Sequence, residues 1–87
     1  MKTIWKYILE TTDLQKIKMP IGAKILTVQI QHGVPCIWCL VNPDEDVEYK
    51  IIRTIGTGHD LENDFSGKYL GTYRLDSWHL TVHVFEC

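Results

Sequence analysis

An all-β fold, mostly antiparallel, with about seven short strands in a small sandwich or barrel and at most one short helical turn, is predicted by three features of the sequence. Apolar and polar residues alternate with period two along almost the whole chain. Turn-forming residues interrupt that alternation at short intervals. Two separate hairpins, once paired across their turns, sort into one apolar and one polar face each, as two packed sheets or a small barrel require.

The first predicted strand runs from Thr3 to Leu9, where Trp5 and Tyr7 alternate with Ile4, Lys6 and Ile8. It is apolar on both sides, which leaves one side for a pocket or a second subunit. Thr11-Thr12-Asp13 then turns the chain into a strand over Leu14 to Lys18, and Pro20-Ile21-Gly22 into another over Lys24 to Gln31. His32-Gly33 is the clearest hairpin signal, because a two-residue loop with glycine supplies the positive φ of a primed turn. It sets Gln31 opposite Val34. Leu26, Val28 and Ile30 then face Cys39, Ile37 and Pro35 on a core side, with Thr27, Gln29 and Gln31 facing Trp38, Cys36 and Val34 on the outside.

Past the strand Val34 to Val41, Asn42-Pro43-Asp44 leads into a strand over Val47 to Ile55, which ends at Gly56-Thr57-Gly58. Residues 59–67 have neither strand alternation nor a helical face, and read as a loop with one helical turn around Leu61 to Asp64; such loops often carry function. The last pair, Lys68 to Leu75 and Trp78 to Phe85, turns at Asp76-Ser77. That turn places Tyr73, Gly71 and Tyr69 opposite Leu80, Val82 and Val84 in the core, and Arg74 and Thr72 opposite His79 and Thr81 outside.

With 87 residues, the chain is expected to form one domain, residues 1–87, around one core. A composition 45% hydrophobic and 23% charged is that of a globular protein. The formal charge of −2 is spread with its signs interleaved. The missing basic stripe argues against duplex nucleic acid, whose phosphates supply most of such affinity, but leaves room for a compact ligand with one or two phosphates. No apolar run suits a signal peptide or a membrane span, so a cytoplasmic protein is expected.

Cys36, Cys39 and Cys87 are an odd count, expected to be reduced thiols. Cys36 and Cys39 spell C-x-x-C, but residues three apart on a strand point to opposite faces, and no second ligand pair follows. His79 and His83 share a strand face too far apart to bind one ion. Ser66 and Ser77 have ordinary turn chemistry, and the carboxylates around Asp44 to Asp46 and Asp60 to Asp64 read as solvated loops. No metal site, no cofactor and no catalytic residue is expected, and the protein reads as a binder rather than an enzyme.

The residues with binding chemistry are few. Gly56-Thr57-Gly58-His59 clusters a hydroxyl and an imidazole at a strand end, where successive N–H groups can form an anion-binding nest. The same residues read equally well as a glycine-built turn with an exposed histidine. Of the aromatic residues, most are needed in the core, and Trp5 is the first choice for stacking on a planar ligand.

Ile4-Trp5-Lys6-Tyr7, the run M-P-x-G-A-x-I-L from Met19 to Leu26, P-C-x-W from Pro35 to Trp38, G-T-G-H from Gly56 to His59 and H-V-F-E from His83 to Glu86 together resemble a family of short phage and bacterial proteins without an assigned function. The likeness spans nearly the whole chain. It implies a link to viral sponges that sequester cyclic nucleotide signals, such as cyclic dinucleotides, and so disarm the host defence called CBASS in the host cytoplasm. On that resemblance the ligand-binding residues are Trp5, Lys6, Arg53, Thr57, Gly58 and His59, with Arg53 and Lys6 offsetting phosphate charge. A two-fold dimer, or a higher homo-oligomer, suits a symmetric cyclic ligand. Two other readings stand beside it. One is a phage accessory protein that inhibits a host protein through an exposed strand edge or the face with Trp38 and its glutamines, and the other is a structural or assembly accessory.

Overall fold

Side-chain alternation and turn residues lay the chain down as seven strands: β1 (Thr3–Ile8), β2 (Leu14–Pro20), β3 (Lys24–Gln31), β4 (Val34–Val41), β5 (Val47–Gly56), β6 (Lys68–Leu75) and β7 (Leu80–Glu86). The computed structural model describes all residues, 1–87. The strands form a three-stranded sheet, β1-β4-β3, and a four-stranded sheet, β2-β5-β7-β6. All pairings are antiparallel. The only helical element is a 3-10 turn at Asp76–Trp78, and no helix is long and apolar enough to cross a membrane.

The inward positions supply the core. Ile25, Val28, Ile37 and Cys39 come from one sheet, and Met19, Ile52, Tyr73, Val82 and Val84 from the other. The two sheets meet along β3 and β6. Gly71 makes that approach possible, because a Cβ there would stand 3.0 Å from the Cβ of Val28.

The first hairpin pairs as expected near its turn, but Cys36, expected outside, is buried at 2%, and Ile30, expected in the core, is 38% exposed. His32 and Gly33 take φ of 53° and 78°, and Gln31 pairs with Val34, Val28 with Ile37 and Thr27 with Trp38. Further along, a bulge at Leu26 inserts one residue and reverses the alternation. The expected pairing of Leu26 with Cys39 is therefore corrected. Ile25 faces Cys39 and is 6% exposed, whereas Leu26 is 45% exposed.

The second hairpin turns through four residues rather than two. Asp76–Trp78 form the 3-10 turn, His79 closes it at φ 50°, and Leu75 pairs with Leu80. Arg74 holds the turn through Nε and Nη2, which donate to Asp76 Oδ1 at 3.0 and 2.8 Å. A slip of two residues preserves the faces, so Tyr73 still lies in the core, now opposite Val82, and Thr72 lies outside, opposite His83. A second bulge, at Leu70, turns Tyr69 out of its expected core position to 58% exposure. Residues 59–67 contain a single tight turn, closed by Phe65 N–H donating to Glu62 O at 3.0 Å, in place of the expected helical turn.

Cys36 and Cys39 project to opposite faces of β4, and all three cysteines are free thiols. Within the four-stranded sheet, Lys50 Nζ on β5 donates to Glu86 Oε2 on β7 at 3.1 Å, both side chains being mostly covered.

Candidate ligand-binding site

The sequence-derived site residues fall into two groups. Trp5 and Lys6 lie on β1 of the three-stranded sheet. Trp5, opposite Cys39, is turned toward the core side and is 41% exposed, and Lys6 Nζ donates to Gln31 Oε1 at 2.8 Å. Arg53, Thr57, Gly58 and His59 lie on β5 and its following turn, in the other sheet.

The turn after β5 is closed by its own hydrogen bonds. Thr57 N–H donates to Thr81 O at 3.2 Å and His59 N–H to Gly56 O at 3.1 Å, so these two amides are not free to cradle an anion. Thr57 Oγ1 is shared between Thr81 O at 3.3 Å and His83 Nε2 at 2.7 Å. His83 Nδ1 in turn meets Thr72 Oγ1 at 2.9 Å, which fixes the imidazole between two threonines.

His59 folds back over Gly56. A Cβ at Gly56 would lie 2.9 to 3.2 Å from three atoms of the imidazole, so glycine is what lets the ring settle there. Arg53 projects from the outer side of β5, bonds Glu62 through Nη1 and lies 5.2 Å from the centroid of Phe65, which itself packs edge-on against Phe85. Glu62 is held below the usual carboxylate range by a backbone hydrogen bond of its own residue and then by Arg53. The arginine is raised mainly by its bond to Glu62, with a smaller contribution from the charge of Asp13.

Beside His59 opens a hollow of about 190 Å³. Gly56, Leu80 and Val82 give it an apolar base, while Thr11, Thr12 and Asp13 supply polar groups from the loop before β2. Trp78, 67% exposed on the 3-10 turn, lines it together with His59. The loop is held from several sides. Gln15 Nε2 donates to Glu10 O at 2.8 Å and Gln15 Oε1 accepts from Glu10 N–H at 3.1 Å; Thr54 N–H donates to Asp13 O at 3.2 Å. Thr11 Oγ1 meets the buried Tyr73 hydroxyl at 2.8 Å.

Thr54 also lines this hollow. The residue is 5% exposed, and its Oγ1 is the one buried side-chain polar atom without a hydrogen-bond partner. An unmet buried hydroxyl costs about 1–3 kcal/mol, an expense that a bound polar group would relieve. A second hollow, of about 180 Å³, shares Asp13, Thr54 and His59 with the first and adds Arg53. The two form adjoining compartments, one with an aromatic side chain and the other with a cation. A wider depression of about 470 Å³ beside Lys24 and Leu40 contains no such orphaned group.

The structure thus gathers Arg53 and His59 with Thr54, Asp13 and Trp78, and leaves Trp5 and Lys6 on another sheet. Sequence reasoning missed Thr54, Asp13 and Trp78. A signal for Thr54 existed, since it shares inward parity with Ile52 and is a hydroxyl among core positions.

Fold and hollow together define a small two-sheet antiparallel β protein with an aromatic-flanked, polar-rimmed cavity. The chain belongs to the family described as domain of unknown function DUF7352, whose model matches residues 1–87. Neither the curated proteins nor the solved structures contain a match to it.

Proposed function

We propose that this protein binds a small phosphorylated nucleotide and holds it without converting it. The observation that carries this reading is the hollow flanked by Trp78 and His59 and lined by Thr54, whose buried hydroxyl has no partner. An aromatic side chain offers a stacking surface to any base, and polar groups around an apolar base fix its orientation. Arg53, in the adjoining compartment, supplies a cation for a phosphate once it exchanges Glu62 for the ligand. Trp5 and Lys6 would join such a site only from a second subunit.

In its finer form the proposal is a phage-encoded sponge that removes cyclic nucleotide signals, such as cyclic dinucleotides, from a CBASS-type defence in the host cytoplasm. The motif likeness noted above supports that form. A two-fold dimer would present the site twice to a symmetric ligand.

Titration calorimetry against cyclic di- and trinucleotides tests the proposal. Saturable heat, abolished by Trp78→Ala, with the ligand recovered chemically unchanged, is the expected result. Absence of heat with every nucleotide, at protein concentrations well above micromolar, overturns it.

A second reading is a protein-binding inhibitor. It is favoured by edge strand β1, whose Ile4 and Ile8 are 56% and 66% exposed on the same face as Trp38. A stoichiometric host partner that survives nuclease treatment and is lost on Ile8→Lys is its expected signature.

A further inference from the structure

We infer that the hollow beside Trp78 selects guanine over adenine, with the Asp13 carboxylate as the selecting group. This rests on the nucleotide reading above. Asp13 lines both compartments, and its carboxylate enters none of the salt bridges of the protein. The nearby cation, Arg53, is engaged by Glu62. Only the backbone of Asp13 is committed, through its carbonyl oxygen to Thr54 N–H. An ionised carboxylate accepts hydrogen bonds and donates none.

The bases differ in what they offer such a group. Guanine presents two adjacent donors on its Watson–Crick edge, the ring N1–H and the exocyclic amine, and these match the two oxygens of one carboxylate in a bidentate pair. Its neighbouring O6 is an acceptor, which a threonine hydroxyl satisfies. Thr12 is exposed on the rim and Thr54 Oγ1, though buried, has no partner, whereas Thr11 Oγ1 is already engaged with Tyr73. Adenine presents one amine beside an unprotonated ring nitrogen, so one carboxylate oxygen would face a lone pair. A site whose polar groups are left unmatched discriminates far more strongly than one differing only in shape.

The experiment compares guanosine and adenosine 5′-monophosphates, and then the corresponding cyclic dinucleotides, by calorimetry with the intact protein and with Asp13→Asn. Near-UV circular dichroism verifies the fold of the variant, whose backbone carbonyl is unchanged. Guanine ligands are expected to bind at least about tenfold more tightly than adenine ligands, and Asp13→Asn to remove most of that ratio by weakening guanine binding. Equal or tighter adenine binding, or a ratio unchanged by Asp13→Asn, overturns the inference while leaving nucleotide binding intact. A protein that binds neither base overturns this inference and the proposed function together.

Discussion

Thr54 is where stability and binding pull in opposite directions. Its Oγ1 is buried without a partner, so Thr54→Val, which keeps the branched shape and removes the hydroxyl, is expected to stabilise the free protein by about 1 kcal/mol in urea titration. The same change should weaken nucleotide affinity. Trp78 behaves differently, because it is 67% exposed and adds little to the core. Trp78→Ala is expected to shift stability by no more than about 0.5 kcal/mol while abolishing binding, which separates a ligand-contacting role from a structural one. At this scale the sequence was half legible. Gly56 and His59 announce themselves by type and spacing, whereas Arg53 was reached only through the family resemblance, since it sits among other charged residues on its strand. Trp78 was hidden because a strand start and a 3-10 turn share the same local residues, and Asp13 because a lone turn aspartate is ordinary turn chemistry.

Strands and turns were legible because period two holds along most of the chain and each break contains Gly, Pro, Asn or Asp. Register was legible only as far as the turn length was. His32-Gly33 needs two residues at positive φ and forms that way, whereas Asp76–Trp78 is rebuilt by Arg74 and shifts the second hairpin by two positions. The bulges at Leu26 and Leu70 were not legible, since Leu beside Ile25 or Tyr69 reads as one more residue of an uninterrupted strand. Gly71 is the position where this packing is most exposed to test. A methyl there would meet the Cβ and Cγ2 of Val28 at 3.0 and 3.3 Å, the Cβ being fixed to the backbone of β3 and unable to swing away. Gly71→Ala is therefore expected to lower stability by about 1–3 kcal/mol, measured as a lower urea midpoint.

The molecule as a whole closes its two sheets over a core that contains ionisable groups, and this gives its stability a direction with pH. Burial raises the Cys39 thiol from its ordinary 9.0 to about 11, and burial also raises Tyr7 and Tyr73. A folded pKa above the unfolded one means that the unfolded chain loses its proton first as pH climbs. The contribution is complete below pH 9.0 and is lost as pH rises through about 11. For the thiol the loss is about 3 kcal/mol at most, and melting temperatures recorded across that alkaline range should fall accordingly, less steeply in Cys39→Ala relative to its own neutral value. The fold class and its strand order along the chain could be read ahead of the structure; which residues meet at the end of β5 could not, because Thr11 to Asp13 and Trp78 arrive there only once the sheets have paired. The most direct test of the site is the nuclear magnetic resonance spectrum of the tryptophan indole N–H groups, three in this chain, during titration with a cyclic guanine dinucleotide. The indole of Trp78 should move to saturation while those of Trp5 and Trp38 hold still. Movement of Trp5 or Trp38 with Trp78 unchanged would contradict a ligand seated between Trp78 and His59.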